Sequence, residues 1–187
     1  MRSRGVLLAA AVVAVLAAVL GVGYVLGRGG GPAASPGPNG RAYLRPLLLL
    51  GAHGGAGVST LAVLLQPAFD VGVVRNWSAF ANPQRHPLAV VTGWTVSAAG
   101  QAVTQVAAAT RAGMPPRVLI VVADGWPQPK AARVRFRLLE AQVGQLVQVP
   151  FVRAWRYVDR PDPAATPRPV LRALDEVRTA VYGPVRR

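Results

Sequence analysis

Residues 51–60 read Gly-Ala-His-Gly-Gly-Ala-Gly-Val-Ser-Thr, between the apolar run Leu47-Leu48-Leu49-Leu50 and the apolar stretch Leu61-Ala62-Val63-Leu64-Leu65. Glycine costs conformational entropy inside a helix or strand, so such a cluster ends one element and starts another. The order is strand, glycine-rich turn closing on a hydroxyl pair, helix, which is the layout of a phosphate-binding loop. Gly54, Gly55 and Gly57 let backbone N–H groups point inward at an anion, and the following helix adds its positive end. A fold that accepts this segment must pass a buried strand directly into a helix.

The rest of the chain repeats that alternation. Short apolar strands are expected at residues 47–50, 69–74, 88–92, 118–123 and 146–149, and helices at 58–66, 97–111, 130–143 and 169–181. Ser97 is read as the cap of the second helix, and Gly113 with Pro115 and Pro116 as its stop. In the third helix Val134, Leu138 and Ala141 are read as the core stripe, with Arg133 and Arg137 on another face. Residues 75–87 form a loop with exposed aromatics. Five strands alternating with four helices, without hairpin signals, predict an α/β fold: a mostly parallel five-stranded sheet with helices on both faces. Ligands of such sheets sit at the carboxyl ends of the strands.

The glycine segment resembles the deviant phosphate loop of the ParA/MinD class of P-loop ATPases, Lys-Gly-Gly-x-Gly-Lys-Thr/Ser-Thr. Gly54, Gly55, Gly57, Ser59 and Thr60 match that pattern, and Ala56 takes the variable place. His53 stands where the first lysine of the class would be and Val58 where the second would be. The likeness is carried mainly by residues 47–65, with looser support from the strand order to about residue 150. It implies a degenerate nucleotide- or anion-binding loop formed by Gly54, Gly55, Ala56, Gly57, Val58, Ser59 and Thr60. Were ATP and magnesium still held, Ser59 would be the metal ligand and Thr60 would meet a phosphate. No catalytic residue is assigned, because both departures remove positive charge where phosphoryl transfer needs it.

The strand-end carboxylate of that class is also missing from the pattern. Asp70 falls at the start of a strand, the wrong end for the site, and Asp124 reads as a turn cap. The function this implies is a catalytically inactive ParA/MinD-like domain acting as a binding or scaffold module. Degenerate domains of this kind resemble membrane-anchored accessory parts of actinobacterial mobile-element, secretion or conjugation systems. Two alternatives stay open: an ATPase activated by a partner subunit that donates the missing cation, and a basic tether that holds DNA or anionic lipid near the membrane.

Ahead of the domain, residues 6–26 contain no charge and are dominated by Val, Leu and Ala. As a helix they would span roughly 31 Å, close to the ~30 Å hydrocarbon core. A cleaved signal peptide would have a shorter apolar core, about 7–15 residues, and a nearer small-residue site. The chain therefore divides into a basic flank (1–5), a single transmembrane helix (6–26), a Gly/Pro-rich linker (27–45) and an α/β domain (46–187). The flanking arginines nearly balance under the positive-inside rule, and the nucleotide-type loop favours a domain on the cytoplasmic side of the cell membrane. Ala10, Ala14 and Ala18 would let two anchors pack into a homodimer, although alanines facing lipid are the plainer reading.

Composition narrows the chemistry further. There is no cysteine, so disulfides and thiolate metal sites are excluded. His53 and His86 are not at ligand spacing for zinc. No Gly-x-Ser-x-Gly elbow and no close carboxylate pair support hydrolase chemistry. The formal net charge is +14, carried by 20 arginines and the single Lys130. Arg in place of Lys, with abundant Ala, Gly, Pro and Val, fits a high-GC genome of actinobacterial style. The charge favours anionic lipid or nucleic acid as partners. Trp77, Phe80, Trp94, Trp126 and Trp155, some beside Arg75, Arg153 and Arg156, read equally as a protein-binding surface and as loops folded over the sheet edge.

Overall fold

The computed structural model describes residues 34–36 and 42–183. Its centre is one five-stranded sheet built from β3 (Leu47–Gly51), β4 (Ala68–Gly72), β5 (Leu88–Gly93), β6 (Val118–Val122) and β7 (Leu146–Val149), in the order β4-β3-β5-β6-β7. Every neighbouring pair in it runs parallel. A shorter antiparallel ladder pairs β1 (Ala34–Pro36) with β2 (Ala42–Leu44), inside the segment expected to act as a linker.

Near-continuous apolar strands form here because both faces of the sheet are covered. Successive side chains point to opposite faces, and the core divides accordingly. Leu47, Leu49, Val91, Ile120 and Val149 meet α1 (Val58–Leu64) and α4 (Arg168–Tyr182). Leu48, Leu50, Val90, Leu119 and Val121 meet α2 (Val96–Arg111) and α3 (Lys130–Val143). Trp77 and Phe80, from the loop joining β4 to β5, pack on this second face, edge to face with centroids 5.5 Å apart.

The α/β class, the parallel sheet and the two helical layers agree with the sequence reading. Two local expectations are corrected. The cap of α2 is Thr95, whose hydroxyl accepts from the Ala98 N–H at 3.1 Å, and Ser97 lies inside the helix. In α3 the buried stripe is Ala132, Phe136, Leu139 and Val143, whereas Val134 and Leu138 are 58% and 67% exposed. Both stripes have helical spacing; the one carrying the phenyl ring covers more apolar area and takes the core.

Two long-range bonds close the domain. The Tyr182 hydroxyl donates to the Arg45 carbonyl at 2.7 Å, joining the last helix to the segment entering the sheet. Arg178 donates to the Leu64 carbonyl at 3.0 Å and so covers the end of α1. No helix among the described residues is long and apolar enough to cross a membrane. The expected anchor at residues 6–26 lies outside the described residues.

Candidate functional site

The strand order places a reversal between β3 and β5. From β3 the chain enters α1 on one face, and from β5 it enters α2 on the other. The crevice between diverging connections is where open α/β sheets hold ligands. The glycine turn, residues 52–57, fills this position.

The turn is anchored at its start by the Ala52 N–H, which donates to the Val91 carbonyl at 2.8 Å. It closes on Gly57, whose carbonyl accepts from the Leu61 N–H at 3.0 Å. Gly57 adopts φ 89°, a left-handed conformation that side-chain-bearing residues rarely take. Ala56 and Val58 turn inward and are buried. A Cβ on Gly51 would lie 3.1 Å from a Val58 methyl, so the close approach of strand and helix depends on that glycine. A Cβ on Gly54 or Gly55 would meet nothing within 4 Å, so the crest of the loop is open.

His53 is fixed from both sides of its ring. Nε2 lies 3.1 Å from the Gly93 nitrogen, and Nδ1 lies 2.8 Å from the Gly54 carbonyl. The Gly93 N–H donates and the Gly54 carbonyl accepts, so Nε2 serves as the acceptor and Nδ1 as the donor. His53 thus ties the glycine turn to the end of β5.

Ser59 and Asp70 correct the expectation drawn from strand position. Asp70 lies within β4, the strand beside β3, and its Oδ2 accepts from the Ser59 hydroxyl at 2.5 Å. Its Oδ1 accepts from the Gly72 N–H at 2.8 Å. Strand numbering alone put Asp70 at the wrong end. Asp70 is the third residue of β4, and the parallel register sets it beside Leu49 of β3, within reach of Ser59 at the start of α1; that partner depends on strand pairing, which local spacing does not carry.

Thr60 and Gly57 share a cleft of about 240 Å³ with Val122, Asp124, Trp155 and Arg156. Asp124 is committed to structure, as a turn cap. Its Oδ1 accepts from the Trp94 indole at 2.7 Å and from the Trp126 N–H at 2.9 Å. Arg156 donates to the Asp124 carbonyl at 3.2 Å, and its guanidinium stands 4.8 Å over the Phe151 ring. Arg75 and Arg85 are exposed on the loop between β4 and β5. The cation that the fold brings to the cleft is Arg156, from the segment after β7.

The other sequence candidates are dispersed. Trp77 donates to Gln105 Oε1 at 3.1 Å and is packed against the core, as is Phe80. Trp126 is 75% exposed. His86 has its own partner, with Nε2 2.5 Å from Gln84 Oε1, and burial together with the Arg45 charge lowers its pKa below the usual histidine value. Among the described residues no three His, Cys, Asp or Glu side chains cluster as a metal site would require. Ser59 and Asp70 are nevertheless hard oxygen donors of the kind magnesium takes when substrate phosphates complete its shell. At the turn itself, Val58 is buried and both ring nitrogens of His53 are bonded to backbone groups. Comparison with family models, curated proteins and solved structures finds no match.

Proposed function

We propose that this chain is a membrane-anchored, catalytically inactive ParA/MinD-like phosphate-loop domain that serves as a binding or scaffold module for a protein partner. The observation that carries this reading is the paired replacement in the loop. Val58 is 7% exposed and belongs to the core, and His53 spends both ring nitrogens on backbone groups. Phosphoryl transfer depends on positioned charge around the transferring group, and neither side chain supplies any. What remains is a glycine turn at the carboxyl edge of a parallel sheet, suited to weak capture of a phosphate-like anion. A secretion, conjugation or mobile-element system is the context this reading favours.

The expected result is that the full-length protein releases no phosphate from ATP or GTP above the level of a Ser59→Ala, Thr60→Ala variant. Steady turnover above that control would sink the proposal. The Ser59–Asp70 oxygen pair supports a second reading, a nucleotide-binding ATPase completed by a partner's cation. On that reading nucleotide binding depends on magnesium, and Asp70→Asn removes the dependence; binding unaffected by magnesium removes the reading.

A further inference from the structure

Helix α3 carries a second apolar ridge opposite the buried one. At 3.6 residues per turn, Ala132, Phe136, Leu139 and Val143 point one way, and Val134, Leu138 and Ala141 point the other. Val134 and Leu138 are 58% and 67% exposed. Scattered exposed aliphatics are ordinary, but this ridge is bordered by cations. Lys130, Arg133 and Arg137 flank one side of it, with the single acid Glu140 at the outer edge of that flank, and Arg135 flanks the other. Arg135 reaches across to α2, where it donates to the Val96 carbonyl at 2.9 Å. None of the other three meets a carboxylate, since the one ion pair among the described residues is Arg178–Asp175.

We propose that this face of α3 lies against an anionic lipid surface. Val134 and Leu138 enter the boundary between headgroups and acyl chains, and Lys130, Arg133 and Arg137 meet lipid phosphates. An apolar ridge with basic flanks is the pattern of a helix lying in the membrane plane, and each cation at an anionic leaflet multiplies binding by about five. Charge excludes the simplest competitor: a second copy would bring an equally basic ridge against this one, and like charges in contact oppose docking. Duplex DNA would use the arginines but gains nothing from the aliphatic ridge, because its phosphate backbone is read by charge. The inference does not rest on the nucleotide loop being active or inactive.

The chain has no cysteine, so a single Leu138→Cys substitution gives a unique site for an environment-sensitive fluorophore on the full-length protein. The control is Leu171→Cys, an exposed position on α4 across the sheet. Vesicles of phosphatidylcholine alone are compared with vesicles that also contain phosphatidylglycerol. The expected result is a blue shift at position 138 only with phosphatidylglycerol, and no shift at 171 with either lipid. Arg133→Gln combined with Arg137→Gln should lower the docked-to-free ratio about 25-fold. The neutral vesicles also control for any proximity imposed by the N-terminal segment. No shift at 138 with phosphatidylglycerol, an equal shift with neutral lipid, or a shift produced by duplex DNA or an acidic polypeptide without lipid would each overturn the proposal. All the substituted positions are exposed, so loss of fold does not confuse the result.

Discussion

At the scale of single residues, the loop is defined by what its side chains are already bonded to. His53→Ala leaves the partly buried Gly93 N–H without its acceptor and frees the turn from β5. The expected loss is about 1–3 kcal/mol, the usual cost of an unsatisfied buried donor, read as a lower denaturant midpoint; an unchanged midpoint would show that the bond contributes nothing. Val58→Lys restores charge but must place a longer chain where Val58 meets Gly51 at close range. It should destabilise the domain by about 1–3 kcal/mol, without producing turnover. Tyr182 makes a different kind of test. Burial pushes its phenol up to about 12, against the nearby Arg178 charge, which acts to lower it. The unfolded chain loses this proton near pH 10 and the folded chain near pH 12, so the unfolded state binds fewer protons between them. Stability is therefore intact below about pH 10 and falls as pH rises toward 12. Tyr182→Phe removes that slope and the bond to the Arg45 carbonyl, costing about 1 kcal/mol at neutral pH. Urea midpoints measured from pH 8 to 12 check both effects.

At the scale of elements, the two stripes of α3 make opposite predictions. Phe136→Ala empties a core position that is 2% exposed and should cost about 3–5 kcal/mol. Val134→Ala and Leu138→Ala remove side chains that face water and should stay within about 0.5 kcal/mol. The reverse order in thermal or urea unfolding would restore the stripe expected from the sequence. The start of α2 behaves similarly. Thr95→Ala removes a side-chain cap and should cost about 1 kcal/mol, whereas Ser97→Ala should change little. Propensity and spacing identify both helices; which residue caps and which face turns inward depend on what stands opposite them.

At the scale of the whole molecule, the sheet order explains why a short glycine turn is the candidate site. β3 sits inside the sheet with neighbours on both sides, and the chain diverges from it and from β5 to opposite faces. The proposed anchor belongs to this scale as well: full-length protein should stay with membranes through a carbonate wash, and a chain starting at Pro32 should be released. Release of the full-length chain would remove the anchor from the proposal. Much of the architecture was legible from residue order alone. Apolar runs of four to six residues, glycine and proline at their borders, and helical periodicity between them depend on local chemistry, so they announced five strands, four helices and the turn at residues 51–60. Sequence also announced that position 58 carries no charge, because Val58 is aliphatic in any fold. The tertiary structure decided the rest. It assigned Asp70 to Ser59, His53 to Gly93, Arg156 to the cleft and Phe136 to the core. Those outcomes depend on strand neighbours and on competition between surfaces for burial, which link residues far apart in the chain and leave no mark on local spacing.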